Sequence, residues 1–167
     1  MPDTPTYALA SIFGPGRDEM VAHVPHATAL NMKVIETGPR FAVLMLPYQE
    51  HLVGDPVRKV IFGGVITTLI DQACGIAVAC SLEDLRAIAT VDLRVDYLRA
   101  AEPGCDLYAR AECYRVARSV AFVRVVAYER EIGDPFASCL GTFMLGAHAF
   151  GSAFDRAVEA PIQGGES

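Results

Sequence analysis

A chain of 167 residues is long enough for one hydrophobic core and short for two, and 52% hydrophobic against 20% charged residues excludes intrinsic disorder. With 20 acidic and 14 basic side chains the formal net charge is −6, so no global positive field attracts a phosphate backbone, and nucleic acid is excluded as a partner. The five cysteines, Cys74, Cys80, Cys105, Cys113 and Cys139, are odd in number and lack a C-x-x-C spacing, which signals neither a zinc site nor a complete disulfide framework.

Residues 1–13 have no basic region followed by an apolar run, so a loose arm rather than a signal peptide is expected, and with it a cytoplasmic location. Residues 17–32 carry Met20, Val21, Val24, Ala27 and Leu30 at helical spacing, interrupted by Pro25, which predicts a short, broken helix. His23 and His26 lie on it with no acid or cysteine motif beside them, so no metal site is signalled. Apolar residues flank the turn cluster Glu36-Thr37-Gly38-Pro39, predicting a hairpin of 33–35 against 41–46. Residues 48–59 contain Gly54, Asp55 and Pro56 and read as an exposed loop.

Residues 63–82 are apolar on nearly every side, the mark of a helix enclosed by other structure. Residues 60–80 approach the about 20 apolar residues that cross a bilayer, but Asp71 and Gln72 at the centre would be costly in lipid, so burial in protein is expected and no membrane. Cys74 has no histidine in this helix to activate it and reads as a packed thiol. Residues 89–98 alternate Val91, Leu93, Val95 and Tyr97 with Thr90, Asp92, Arg94 and Asp96, the period of a half-buried strand. After the turn Glu102-Pro103-Gly104, strands are predicted at 106–116, 119–130 and 135–148, giving four consecutive antiparallel strands in meander order, with His148 at a surface end. The division expected is an arm and short helix at 1–29, one domain at 30–148 and a tail at 149–167. The plan is α+β, a curved antiparallel sheet wrapped around a long central helix.

The segments Phe62-Gly63-Gly64-Val65-Ile66-Thr67-Thr68-Leu69-Ile70-Asp71, Thr90-Val91-Asp92-Leu93 and Tyr97-Leu98-Arg99 resemble the PaaI-like branch of the hotdog-fold acyl-CoA thioesterase superfamily, over residues 30–145. The resemblance implies that the Gly63 N–H holds the thioester carbonyl oxygen and that Asp71 is the general base or nucleophile. Asp71 is also the only acidic or basic side chain between Lys59 and Glu83. Thr90 matches a Ser or Thr that helps to hold the attacking water, although simple alternation puts it on the face of Asp92 and Arg94, so a bulge or strand end must redirect it. Phe62 and Gly64 would line the substrate, and Phe62 stands where the family usually has a histidine. Arg118 resembles a basic turn residue near the phosphates of coenzyme A, with Arg115 and Arg99 as further candidates. No cofactor is implied beyond coenzyme A as part of the substrate.

Eight residues of α-helix span about 12 Å, so Gly63 and Asp71 of one chain cannot both touch one carbonyl. An antiparallel pairing about a two-fold axis would bring Gly63 of one chain to Asp71 of its mate, in a homodimer or a dimer of dimers (homotetramer). The implied reaction is hydrolysis of a small to medium or aryl acyl-CoA. The competing reading is an acyl-thioester-binding protein impaired in turnover by Phe62.

Overall fold

The architecture follows from one helix too apolar to face water. In the computed structural model, which describes Tyr7, Gly14, Pro15 and residues 17–146, the elements in chain order are β1 (Gly14–Pro15), α1 (Glu19–Ala22), α2 (Pro25–Ala29), β2 (Lys33–Gly38), β3 (Phe41–Leu46), β4 (Val53–Asp55), β5 (Val60–Ile61), α3 (Gly63–Ala79), β6 (Ile88–Tyr97), β7 (Leu107–Val116), β8 (Val120–Tyr128) and β9 (Ala137–Leu145). His148 and the tail expected from residue 149 lie outside the described residues.

Ile66, Leu69, Ile70, Ala73 and Ala77 of α3 are buried at intervals of three and four residues, against an antiparallel sheet of order β1-β2-β3-β7-β8-β9-β6. The sheet meets the helix with small side chains, among them Ala109, Ala111, Ala121, Ala127 and Ala137, which let it approach and curl around the cylinder. The opposite stripe of α3, running through Gly64, Thr68, Asp71 and Gly75, is only half-buried or exposed in the single chain. Val21 and Ala27 from the two short helices join the same core, and Pro25 sits in the first turn of α2, where its missing N–H costs nothing.

Three expectations are corrected. The first hairpin turn is tighter than the composition suggests: β2 runs through Glu36, Thr37 and Gly38, and the reversal is made by Pro39 and Arg40, the latter at φ 69°. Residues 48–59 are not a plain loop, because a 3-10 turn at Glu50–Leu52 buries Leu52 and β4 pairs with β5. The last four strands do not form a meander. β7, β8 and β9 do, but β6 pairs with β9 at the far edge, and β7 pairs with β3.

The connection from β6 to β7 therefore crosses the ends of two strands, and a polar clamp holds it there. Leu98 N–H donates to the Phe136 carbonyl at 2.8 Å, and Glu102 N–H donates to Glu129 Oε1 at 2.7 Å. Arg99 grips the buried Glu129 with both arms of its fork, at 2.9 and 2.8 Å, and donates to the Asp134 carbonyl at 2.8 Å. Burial pushes the Glu129 carboxyl up, but the Arg99 guanidinium and the Glu102 N–H outweigh it and hold the group below its ordinary value.

Candidate active site

The N-terminus of α3 is left open by its own sequence. Phe62 is the N-cap, in extended geometry (φ −61°, ψ 133°), and its side chain accepts no hydrogen bond where Ser, Thr, Asp or Asn would take an N–H of the first turn. Its carbonyl takes the N–H groups of Val65 (3.0 Å) and Ile66 (3.3 Å), and its own N–H donates to the Leu52 carbonyl at 2.9 Å. The N–H groups of Gly63 and Gly64 have no partner among the described residues. They sit at the positive end of the helix dipole, where a developing oxyanion is favoured. The Phe62 ring, 61% exposed, lies over two glycines: a Cβ at Gly64 would come within 2.7 Å of the ring, and one at Gly54 within 2.9 Å of the Phe62 Cα. The β4–β5 hairpin thus holds Phe62 as an apolar lip beside the open amides.

Asp71 lies two turns along α3, half-buried rather than enclosed. Thr90 Oγ1 donates to Asp71 Oδ1 at 2.8 Å. Simple alternation would turn Thr90 away from the helix. The register explains the difference: Thr90 pairs with Phe143 and Asp92 with Thr142, so Val91 is an extra, bulged residue. Beyond the bulge Leu93, Val95 and Tyr97 pair with Gly141, Cys139 and Ala137, all buried against the helix, and Thr90 joins their face.

Tyr97 at the other end of this face reaches the N-terminus of α3, where its hydroxyl donates to the Gly63 carbonyl at 2.8 Å. Thr67 Oγ1 lies 3.1 Å from the same carbonyl and 3.1 Å from Tyr97 Oη. The sequence marks Tyr97 as an apolar member of the alternation and as part of the family-like segment Tyr97-Leu98-Arg99, without a role at the site. Its signal is the face it shares with Leu93 and Val95. Cys74, one turn after Asp71, has its thiol pushed up by a hydrogen bond with Cys139 and by burial, so it stays protonated and no nucleophile is available there.

The three arginines fall in different settings. Arg118 is exposed at the β7–β8 turn and lines a cleft of about 470 Å³ with Arg40, Ser81, Glu83 and Arg86, at the C-terminal end of α3. Arg115 is exposed on the same hairpin. The Arg99 guanidinium is engaged by Glu129 and Asp134 and holds the crossover. The cleft is about 15 Å along the helix from Asp71, on the side away from Gly63.

The chain is similar in sequence and fold to known proteins. The family model described as the thioesterase superfamily matches residues 59–135, which span β5, α3 and the strands β6 to β8. The medium/long-chain acyl-CoA thioesterase YigI of Escherichia coli (strain K12) is 32% identical over 139 residues, covering 75% of this chain and 88% of its own. A crystal structure of a Pseudomonas aeruginosa protein superposes with a TM-score of 0.69 at 40% identity, covering 76% of this chain and 94% of that one. A point mutant of the phenylacetic acid degradation protein PaaI from Thermus thermophilus superposes at 0.63 with 25% identity, covering 72% and 97%.

Proposed function

The chain belongs to the thioesterase superfamily and is a thioester hydrolase of hotdog fold, and on that premise we propose that it hydrolyses medium-chain acyl-CoA esters at sites shared between two subunits. Medium length is where the expectation from sequence overlaps the name of the Escherichia coli relative, a medium/long-chain enzyme. The observation that carries the reading is the pair of N–H groups on Gly63 and Gly64, unpartnered among the described residues, eight and seven positions ahead of a carboxylate held by Thr90.

In this reading Asp71 takes a proton from water as the water oxygen attacks the thioester carbon, and Thr90 orients the carboxylate and the water. The carbonyl oxygen becomes an oxyanion, held by the Gly63 N–H of the partner subunit. The tetrahedral intermediate collapses, the C–S bond breaks, and the proton on Asp71 returns to the departing thiolate of coenzyme A. Two features support a two-fold arrangement. The outer edge of β6 is unpaired among the described residues and carries exposed Val91, with exposed Leu98 just past its end. The Gly64, Thr68, Asp71 and Gly75 stripe of α3 offers a face of small and polar side chains for an antiparallel mate. Arg118, supported by Arg115, would meet the phosphates of coenzyme A at the mouth of the cleft. We assign the enzyme to the cytoplasm, in keeping with five free thiols.

Phe62 favours a second reading, a protein that binds acyl thioesters with little turnover. Phe62→His discriminates between them. A gain of about a hundredfold in coenzyme A release would support the impaired reading, and a change within a few-fold supports an active site that uses Phe62 as it stands.

The test of the shared site is complementation. Asp71→Asn and Gly63→Val subunits, each inactive alone, are refolded together in equal amounts. A heterodimer then carries one site with both groups intact, so about one quarter of wild-type activity returns. No return would end the proposal that two subunits share each site.

A further inference from the structure

Two hydroxyls converge on one peptide unit at the start of α3. Tyr97 donates to the Gly63 carbonyl at 2.8 Å, Thr67 Oγ1 is 3.1 Å from the same oxygen, and the two hydroxyls are 3.1 Å apart. Each has a single proton, so three full hydrogen bonds are impossible. With the shortest contact assigned to Tyr97, Thr67 donates either to the carbonyl or to the Tyr97 oxygen, and both arrangements draw electron density toward the Gly63 carbonyl.

The peptide unit that carries the Gly63 carbonyl also carries the Gly64 N–H. The Gly63 N–H belongs to the preceding unit, whose carbonyl, that of Phe62, is taken by Val65 and Ile66. Donation from Tyr97 therefore acts on Gly64 and not on Gly63. We propose that Tyr97 is a positioning residue that orients and polarises the Gly63–Gly64 peptide, making the Gly64 N–H a second oxyanion donor beside that of Gly63. The inference rests on the thioesterase reading above. A peptide already fixed and polarised needs no reorganisation when charge develops on the substrate oxygen, which is where such donors gain their effect. β6 then serves both halves of the chemistry, holding Asp71 through Thr90 at one end and the amide donors through Tyr97 at the other.

Tyr97→Phe tests it, because the ring stays and only the donor goes. The expected result is a fall in kcat of about tenfold, smaller than the hundredfold or more for removing a donor that touches the oxyanion. KM stays within about twofold and the melting midpoint within about 2 °C. In the substrate-free protein the Gly64 amide nitrogen resonance moves upfield while those of Gly63 and Val65 hold, a pattern that general loosening of the helix end would not produce. An unchanged kcat, an unmoved Gly64 resonance, or a kcat loss that comes with a lowered melting midpoint overturns the role. If Tyr97→Phe does not fold, Thr67→Val is expected to move the same resonance by less, and an unmoved signal is equally fatal. Wild-type protein inactive on every acyl-CoA would remove the thioesterase reading and this role with it. An active wild type with an equally active Tyr97→Phe removes this role alone.

Discussion

Thr90 and Asp71, nineteen residues apart in sequence, are joined by a 2.8 Å hydrogen bond that exists only because Val91 bulges out of β6. Without the extra residue Thr90 would point with Asp92 into solvent, and the carboxylate would lose its one donor among the described residues. A threonine hydroxyl can donate to Asp71 and still accept from a water beside it, which suits a residue that orients base and nucleophile together. Thr90→Val is expected to lower kcat by about tenfold and Thr90→Ser to restore most of it, whereas Asp71→Asn should lose about a hundredfold or more. Steady-state release of coenzyme A across the three variants checks this, and a Thr90→Val enzyme at wild-type rate would show the bond to be structural only.

Phe62 leaves the first amides of α3 free because it cannot cap them. Phe62→Ser would supply an N-cap hydroxyl that takes one of the first-turn N–H groups, a contact that stabilises a helix by about 1 kcal/mol. The lost packing of a mostly exposed ring offsets part of that. The melting temperature should therefore hold or rise while kcat falls, because the serine oxygen competes with the substrate oxyanion. Parallel melting curves and kinetics decide, and a serine variant as active as wild type would argue that these amides do not meet substrate.

The Arg99–Glu129 clamp links stability to pH. The Glu129 carboxyl is held below its ordinary value of 4.5, so the folded chain binds a proton there less readily than the unfolded one. Its contribution is full above that ordinary value and is lost as the pH falls through the lower, folded value. Denaturant unfolding from neutral pH into the acid range should show this loss. Glu129→Gln, which leaves the Arg99 fork without its carboxylate, should cost about 2–3 kcal/mol at neutral pH and flatten the acid limb. An acid limb identical in wild type and variant would assign the dependence to other groups.

Thiol reactivity separates the cysteines. Burial pushes the Cys80 thiol up to about 12, and Cys74 is raised as well, while Cys105 is partly exposed. A thiol-specific chromogenic reagent on the native protein at neutral pH should label Cys105 rapidly and the other four only on unfolding. Cys105→Ser should abolish the fast phase and leave thioester hydrolysis intact. Rapid labelling of Cys74 would show that the core beneath Asp71 opens.

Several elements were legible in the residues because the information for them is local. The apolar run from Gly63 announced a wrapped helix, the alternation from Thr90 to Tyr97 announced a strand, and the eight positions between Gly63 and Asp71 set the two about 12 Å apart along that helix. These depend on helical rise and on side-chain periodicity, which are properties of a segment.

What only the tertiary structure decided depends on which strands become neighbours. The placement of β6 beside β9, with β7 joined to β3, reverses the meander expected from sequence order, and the clamp holding that crossover draws Arg99 to Glu129 from thirty positions away. The same pairing determines where the bulge falls, and hence that Thr90 faces Asp71 and Tyr97 reaches the Gly63 carbonyl. A one-residue change of register moves every side chain of a strand to its other face, and no window of sequence contains the partner strand that fixes it.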